Sequence, residues 1–201
     1  MTTTQTFRFL FFILLGLMLA VRMVFNLRVQ RQGDAVLPDR QAIQREGVGL
    51  FAFRFVSFFM LIAVLVLYAI RHPWMRVLEF PLPVWLRWLG FVVGLTSVAL
   101  TVWVELELGR QFSPQLRLRQ VHRIVTTGPY FHVRHPLYTA LDGFGLSLAL
   151  VSANLVFLGF FLLVLVGLDI RIPREEKMLM DQFGEEYRAY MQHTGRYFPR
   201  L

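Results

Sequence analysis

Between Leu50 and Ile70 the chain runs for 21 residues with Arg54 as the only charged side chain. About 20 such residues, wound as a helix, cross the hydrocarbon core of a bilayer with every backbone group paired internally. Four further blocks share this character: Phe9 to Phe25, with Arg22 near its end; Val84 to Leu106, with Arg87 and Glu105 toward its ends; Pro136 to Ser152; and Leu155 to Ile170. Ala153-Asn154 alone separates the last two, which reads as a helical hairpin whose short arms need little tilt. The pattern predicts an all-α, polytopic membrane protein with about five transmembrane helices. Composition excludes a soluble domain: 56% of residues are hydrophobic and 17% charged, against about 45–50% and 25% in soluble chains. No small-x-small cleavage site follows Leu19-Ala20-Val21-Arg22, so the first block reads as a retained anchor rather than a signal peptide.

Of the 21 cations, 20 are arginines, and Lys177 is the one lysine. They stand mostly at the ends of apolar blocks, where a guanidinium can reach the headgroups or hold an anion as a planar fork. That placement argues against a nucleic-acid-binding face. Residues 26–49, 107–135 and the tail from Arg171 together carry 15 of them, whereas Arg8, Arg71, Arg76 and Arg87 lie on the other side. The positive-inside rule therefore puts the amino terminus outside and the tail in the cytoplasm. Three polar cytoplasmic pieces result: a first loop, a longer loop before the hairpin, and the tail. In the tail, Leu179, Phe183, Tyr187, Tyr190 and Met191 recur at helical spacing and predict an amphipathic helix lying on the membrane or against the preceding loop.

The common catalytic signatures are missing. Neither G-x-G-x-x-G nor G-x-x-x-x-G-K-[ST] occurs, nor H-E-x-x-H, nor G-x-S-x-G. The absence of Cys excludes thiolate nucleophiles and Cys-ligated metals. His132 and His135 lie close together without acidic partners at ligand spacing, so no metal site is expected. The polar chemistry concentrates instead in residues 115–138. There Gly128-Pro129 marks a turn and Pro136 suits the first turn of a helix. His135, Tyr138 and Asp142 then follow at helical steps, near N–H groups and a dipole end suited to an anionic ligand group. Interfacial anchoring would also account for His135 and Tyr138 taken singly. A second constellation, Arg171-Ile-Pro-Arg-Glu-Glu, opens the tail. Arg171 and Glu175, four apart, suit either an ordinary ion pair at a helix start or a shared pocket. In the pocket reading, Arg171 holds a carboxylate by two parallel bonds and Glu175 accepts from hydroxyl or amine donors.

Gly128-Pro129-Tyr130, Arg134-His135-Pro136-Leu137-Tyr138, Glu175-Glu176 and Phe183-Gly184-Glu185-Glu186-Tyr187 with Tyr190 together resemble the isoprenylcysteine carboxyl methyltransferase family. Phospholipid N-methyltransferases share the pattern. The resemblance covers about residues 105–200, with departures at Ala140, where Gly is common, and at Asn154, which lacks a frequent following Pro. It implies S-adenosyl-L-methionine as cofactor, in a cytoplasmic pocket formed by the loop before the fourth helix and the C-terminal amphipathic helix. Carried over by position, Gln115, His122, Arg123, Ile124, Val125, Tyr130, His135, Pro136, Leu137 and Tyr138 would line that pocket and Glu175 would close it. Arg171 matches the position facing the methyl acceptor, in a catalytic and substrate-binding role. On this reading residues 1–106 form three N-terminal spans with a cytoplasmic loop, and residues 107–201 the methyltransferase core.

The implied activity is carboxyl O-methylation of an isoprenylcysteine-like or other lipophilic carboxylate. The implied partners are the bilayer and a lipophilic or prenylated acceptor, with no nucleic acid and no metal. The alternatives are phospholipid or amine N-methylation in the same fold, an NADPH-binding protein like the sterol reductases, and a non-catalytic scaffold. Arg171 counts against a protonated amine acceptor, which it would repel.

Overall fold

A computed structural model of the chain describes residues 3–31, 44, 47–109 and 124–200. Seven α-helices are described: α1 (Thr3–Arg31), α2 (Val48–Ala69), α3 (Pro73–Val77), α4 (Val84–Leu108), α5 (Pro136–Ser152), α6 (Leu155–Phe183) and α7 (Glu185–His193). A 3-10 turn spans Gly128–Phe131, and the described residues contain no strand longer than an isolated bridge. α1, α2, α4 and α6 are long and apolar enough to cross a membrane, and the protein is an integral membrane protein.

The expected fourth span behaves differently from the others. α5 has 17 residues, a length of about 25 Å at the helical rise, short of a hydrocarbon core of about 30 Å. Eight of its residues are buried. It packs against α4, α6 and α1 as an interior helix, so the bundle combines four long helices with a shorter, enclosed one.

The seam between α4 and α5 explains that enclosure. Lipid tails are as apolar as leucine, so helices in a bilayer associate chiefly where small residues let their backbones approach. Gly90, Gly94, Ser97 and Thr101 make such a stripe on α4, facing Ala140, Phe144, Ser147 and Val151 on α5. A methyl group on Gly94 would collide with the Ser147 hydroxyl and come within 2.7 Å of Leu14. On the far side of the seam, Phe7, Phe11, Leu14 and Met18 of α1 bury one helical face with Tyr68 and Phe157. The Phe11 ring lies 4.7 Å from Phe157 and 4.8 Å from Tyr68 between centroids.

Both ends of α5 are fastened. At its C-terminus Arg87, buried in α4, donates from Nε and Nη2 to the Val151 carbonyl at 3.1 and 2.7 Å, with its guanidinium 4.2 Å from the Phe7 ring centre. The hairpin turn is as tight as the sequence implied. Ala153 takes φ +50°, and buried Asn154 caps α6 through Oδ1 while Nδ2 donates to the Met75 carbonyl at 2.6 Å.

The tail departs from expectation. The sequence reading ends the fifth span at Ile170 and starts a separate amphipathic helix, but α6 continues unbroken through Pro173 to Phe183. Pro173 removes one amide donor from the ladder without ending it. The break falls at Gly184, whose φ of +53° is a left-handed conformation that a side chain disfavours. The predicted amphipathic helix is therefore two: Leu179 and Phe183 lie on α6, Tyr187, Tyr190 and Met191 on α7.

Candidate active site

The polar residues gather where the start of α5 meets the distal half of α6, beyond its apolar stretch of 155–170. Tyr138, one turn into α5, donates its hydroxyl to Glu175 Oε2 at 2.6 Å. Arg171, one turn before Glu175 on α6, lies within interaction range of the same hydroxyl. The His135 ring stacks parallel to the Tyr138 ring, 5.4 Å between centroids and 4° between planes. Two segments separated by more than 30 residues thus present a phenol, a carboxylate and a guanidinium to one another.

Beside this group Glu176 is the centre of a clasp. Buried to 7% exposure, it accepts at Oε1 from Arg134 Nε at 3.1 Å and faces His135 Nε2 at 3.3 Å. Oε2 accepts from Arg196 at 3.2 Å. Burial disfavours its charged form, but the hydrogen bonds and charges of His135 and Arg134 outweigh that and hold the carboxyl down at about 2. With Glu176 ionised, His135 Nε2 is the nitrogen that carries the proton. Arg134 also donates to the carbonyls of Met191, at 3.2 Å, and Thr194. The backbone closes the clasp, with Arg134 N–H on the Gly195 carbonyl at 2.8 Å and His135 N–H on that of Arg196 at 3.1 Å. Loop, α6 and tail are locked together by one carboxylate and a two-bond ladder.

A third set of contacts frames the opening. Tyr190 donates to the Tyr130 carbonyl at 2.6 Å, and burial pushes its own phenol up to about 12. Burial also raises the Tyr130 phenol, helped by the nearby Glu175 carboxylate. Thr127 donates to Glu107, which ties the turn to the end of α4. Glu105, fully buried on α4, meets Arg22 of α1 at 2.5 Å, so Arg22 has a partner across the bundle at this same end.

Tyr130, His135, Pro136, Leu137, Tyr138, Arg171 and Glu175 converge at this one end of the bundle. Ile124 and Val125 are half-buried on the irregular stretch leading to the turn. Gln115, His122 and Arg123 lie outside the described residues. His135, Tyr138 and Asp142 all turn toward α6, meeting Glu176, Glu175 and the neighbourhood of Asp169. Sequence reasoning did not assign roles to Glu176, Arg196 or Glu105. Glu175 and Glu176 are adjacent, and spacing alone could not say which neighbour faces the phenol and which the clasp.

Residues 88–181 match the model of the isoprenylcysteine carboxyl methyltransferase (ICMT) family. That segment resembles the ICMT family. It contains most of α4, the turn, α5, and α6 through both glutamates. Two rice proteins, from Oryza sativa subsp. indica and subsp. japonica, are each named probable protein-S-isoprenylcysteine O-methyltransferase. Each is 28% identical over 113 residues, 54% of this chain and 59% of the relative. The solved eukaryotic intramembrane Ras methyltransferase ICMT superposes with a TM-score of 0.53 at 22% identity, covering 81% of this chain and 54% of that one. The ICMT fold is therefore shared, while this chain spans little more than half the length of these relatives.

Proposed function

We propose that the chain is an integral membrane methyltransferase that uses S-adenosyl-L-methionine to O-methylate the carboxylate of an isoprenylcysteine-like or other lipophilic acceptor. The observation that carries this reading is the meeting of Tyr138, Glu175 and Arg171 inside the ICMT-family segment. The residues fit the cofactor: a carboxylate for its amine or hydroxyl donors, and aromatic faces at Tyr130, His135 and Tyr138 for its base. Ile124, Val125, Pro136 and Leu137 would supply apolar walls, and Gln115, His122 and Arg123 would complete the loop side. The bound cofactor supplies a methyl group activated on a sulfonium.

Glu175 would accept from the cofactor's amine or hydroxyl donors, and the Tyr138 hydroxyl fixes the carboxylate's orientation. Arg171 would hold the acceptor carboxylate as a fork and so orient one of its oxygens for attack. An ionised carboxylate needs no general base to attack, so positioning accounts for most of the acceleration. The amino terminus lies outside and the site faces the cytoplasm, where a soluble cofactor enters while the lipid tail of the acceptor stays in the bilayer. The division at residue 106 separates a supporting half from the catalytic half. Amine N-methylation is the second reading. It is favoured by Asp142, one turn along α5 from Tyr138, and Asp169 on α6, which lie within electrostatic range of each other and would attract a cation.

The test is a thermal-shift comparison followed by turnover. S-adenosylhomocysteine should stabilise the purified protein and NADPH should not; the reverse result contradicts the proposal. Radiolabelled methyl transfer onto prenylcysteine analogues, hydrophobic acids, thiols and phospholipids should favour the carboxylates. Labelling confined to amine headgroups would select the second reading.

A further inference from the structure

The end of the bundle opposite Tyr138 and Glu175 carries a second polar constellation. A 430 Å³ cleft opens between the first turns of α1 and the corner joining α2 to α3, lined by Gln5, Arg8, Tyr68, Arg71, Arg76 and Glu79 among others. A 500 Å³ cleft shares Gln5, Arg8 and Arg71 with it and adds Phe9 and Phe12. The shared wall makes them one groove with a cationic end and an apolar end.

Four arginines stand on this side of the membrane by sequence, and Arg87 is accounted for by its bonds to the Val151 carbonyl. The other three converge on the groove, with Glu79 as the one carboxylate in the lining. Arg8 is held in place rather than waving in solvent. Its guanidinium lies 5.7 Å from the Tyr68 ring centre and 6.0 Å from that of Phe12, and it donates to the Ala69 carbonyl. Its Nε is buried with no hydrogen-bond partner among the described residues, a donor still to be satisfied. Arg71 takes φ +58°, a left-handed conformation that a non-glycine residue keeps only where its surroundings fix it. Arg71 and Arg76 are exposed at the rim, and Phe9 is 60% exposed along the apolar lane.

Guanidinium forks match the oxygen geometry of phosphate, and a cluster of three with one opposing carboxylate leaves an excess of two positive charges. The apolar lane runs beside that cluster, where the apolar stretch of α1 begins at Phe9. We infer that this groove binds the phosphate of a phospholipid headgroup, with one acyl chain laid against Phe9 and Phe12. The site is separate from the methyl-transfer site and does not depend on that assignment.

The experiment is native mass spectrometry of the delipidated full chain in detergent, titrated with dioleoylphosphatidylglycerol, with dioleoylglycerol, which has the same chains and no phosphate, and with inorganic phosphate. The phosphatidylglycerol should bind at least tenfold more tightly than the dioleoylglycerol. The double variant Arg71→Gln/Arg76→Gln, altered only at exposed positions, should lose at least tenfold of that affinity while still binding S-adenosylhomocysteine like the parent. Displacement of the lipid by millimolar phosphate would show that phosphate chemistry alone is read, and persistence of the lipid would show that the intact phospholipid is the ligand. Equal affinity of the parent protein for the two lipids, or an unchanged affinity in the folded double variant, overturns the inference.

Discussion

α2 and α4 are both apolar enough to span a bilayer, yet they do opposite things. α2 has the higher hydropathy of the two, 2.6 against 1.9, and buries 6% of its central stretch against 33% for α4. Phe55, Phe58 and Phe59 of α2 are exposed, and its buried residues are Leu50 and Tyr68, near its two ends. α4 instead carries glycines, Ser97 and Thr101 inward and supports α5, whose first residues enter the clasp and the site. Hydropathy therefore reports which segments meet lipid, while small residues report which segments meet each other. In this chain the second property positions the chemistry.

The largest way to separate the two regions is to attack the clasp at the base of the packed half. Glu176→Ala leaves Arg134 and His135 buried without their carboxylate, a loss expected to cost about 3–5 kcal/mol. Chemical unfolding in detergent should show it, and Glu176→Gln should recover part of it. Next comes the seam: Gly94→Leu must displace Ser147 and Leu14, at about 1–3 kcal/mol or more, and should lower the thermal midpoint and the yield of monodisperse protein. If Gly94→Leu proved as mild as a change on α2, close packing of α4 on α5 would lose its place in the account.

Acid sharpens the comparison further. Glu176 has its folded value depressed from an ordinary 4.5 to about 2, so its contribution is full above pH 4.5 and is lost as the pH falls from there toward 2. The parent protein should lose thermal stability across that window more steeply than Glu176→Gln. Parallel acid titrations of the two would show no difference if the clasp carried no stability. The smallest effect belongs to α2: Phe58→Leu, facing lipid, should change stability by no more than about 0.5 kcal/mol. Tyr68→Leu on the same helix should cost more, because Tyr68 packs against Phe11 and Phe157.

The sequence made the lipid-facing half easy to read and the packed half harder, for physical reasons. The spans and the Ala153-Asn154 hairpin follow from length and polarity alone, and Pro136 marked the start of α5 correctly. The small-residue stripe of α4 was present as Gly90-x-x-x-Gly94, but hydropathy averages it away. The polar run after Ile170 suggested a boundary that Gly184 supplies instead, because the one amide missing at Pro173 is tolerated where a left-handed residue is not. Arg171 and Glu175 were visible as a pair four apart, but their partner Tyr138 is more than 30 residues away, and the resemblance to a known family pointed to it where spacing could not. The Glu176 clasp depends on contacts to Arg134 and His135 across 42 and 41 residues, and no local pattern announces them.

The central claim is that Glu175 holds the cofactor while Arg171 holds the acceptor. Isothermal titration of S-adenosylhomocysteine into the parent protein, Glu175→Ala and Arg171→Ala tests it most directly. Binding should vanish in Glu175→Ala and stay within about threefold of the parent in Arg171→Ala, which nonetheless fails to transfer methyl groups. Equal loss of binding in both variants, or full binding by Glu175→Ala, would contradict the division of roles at the site.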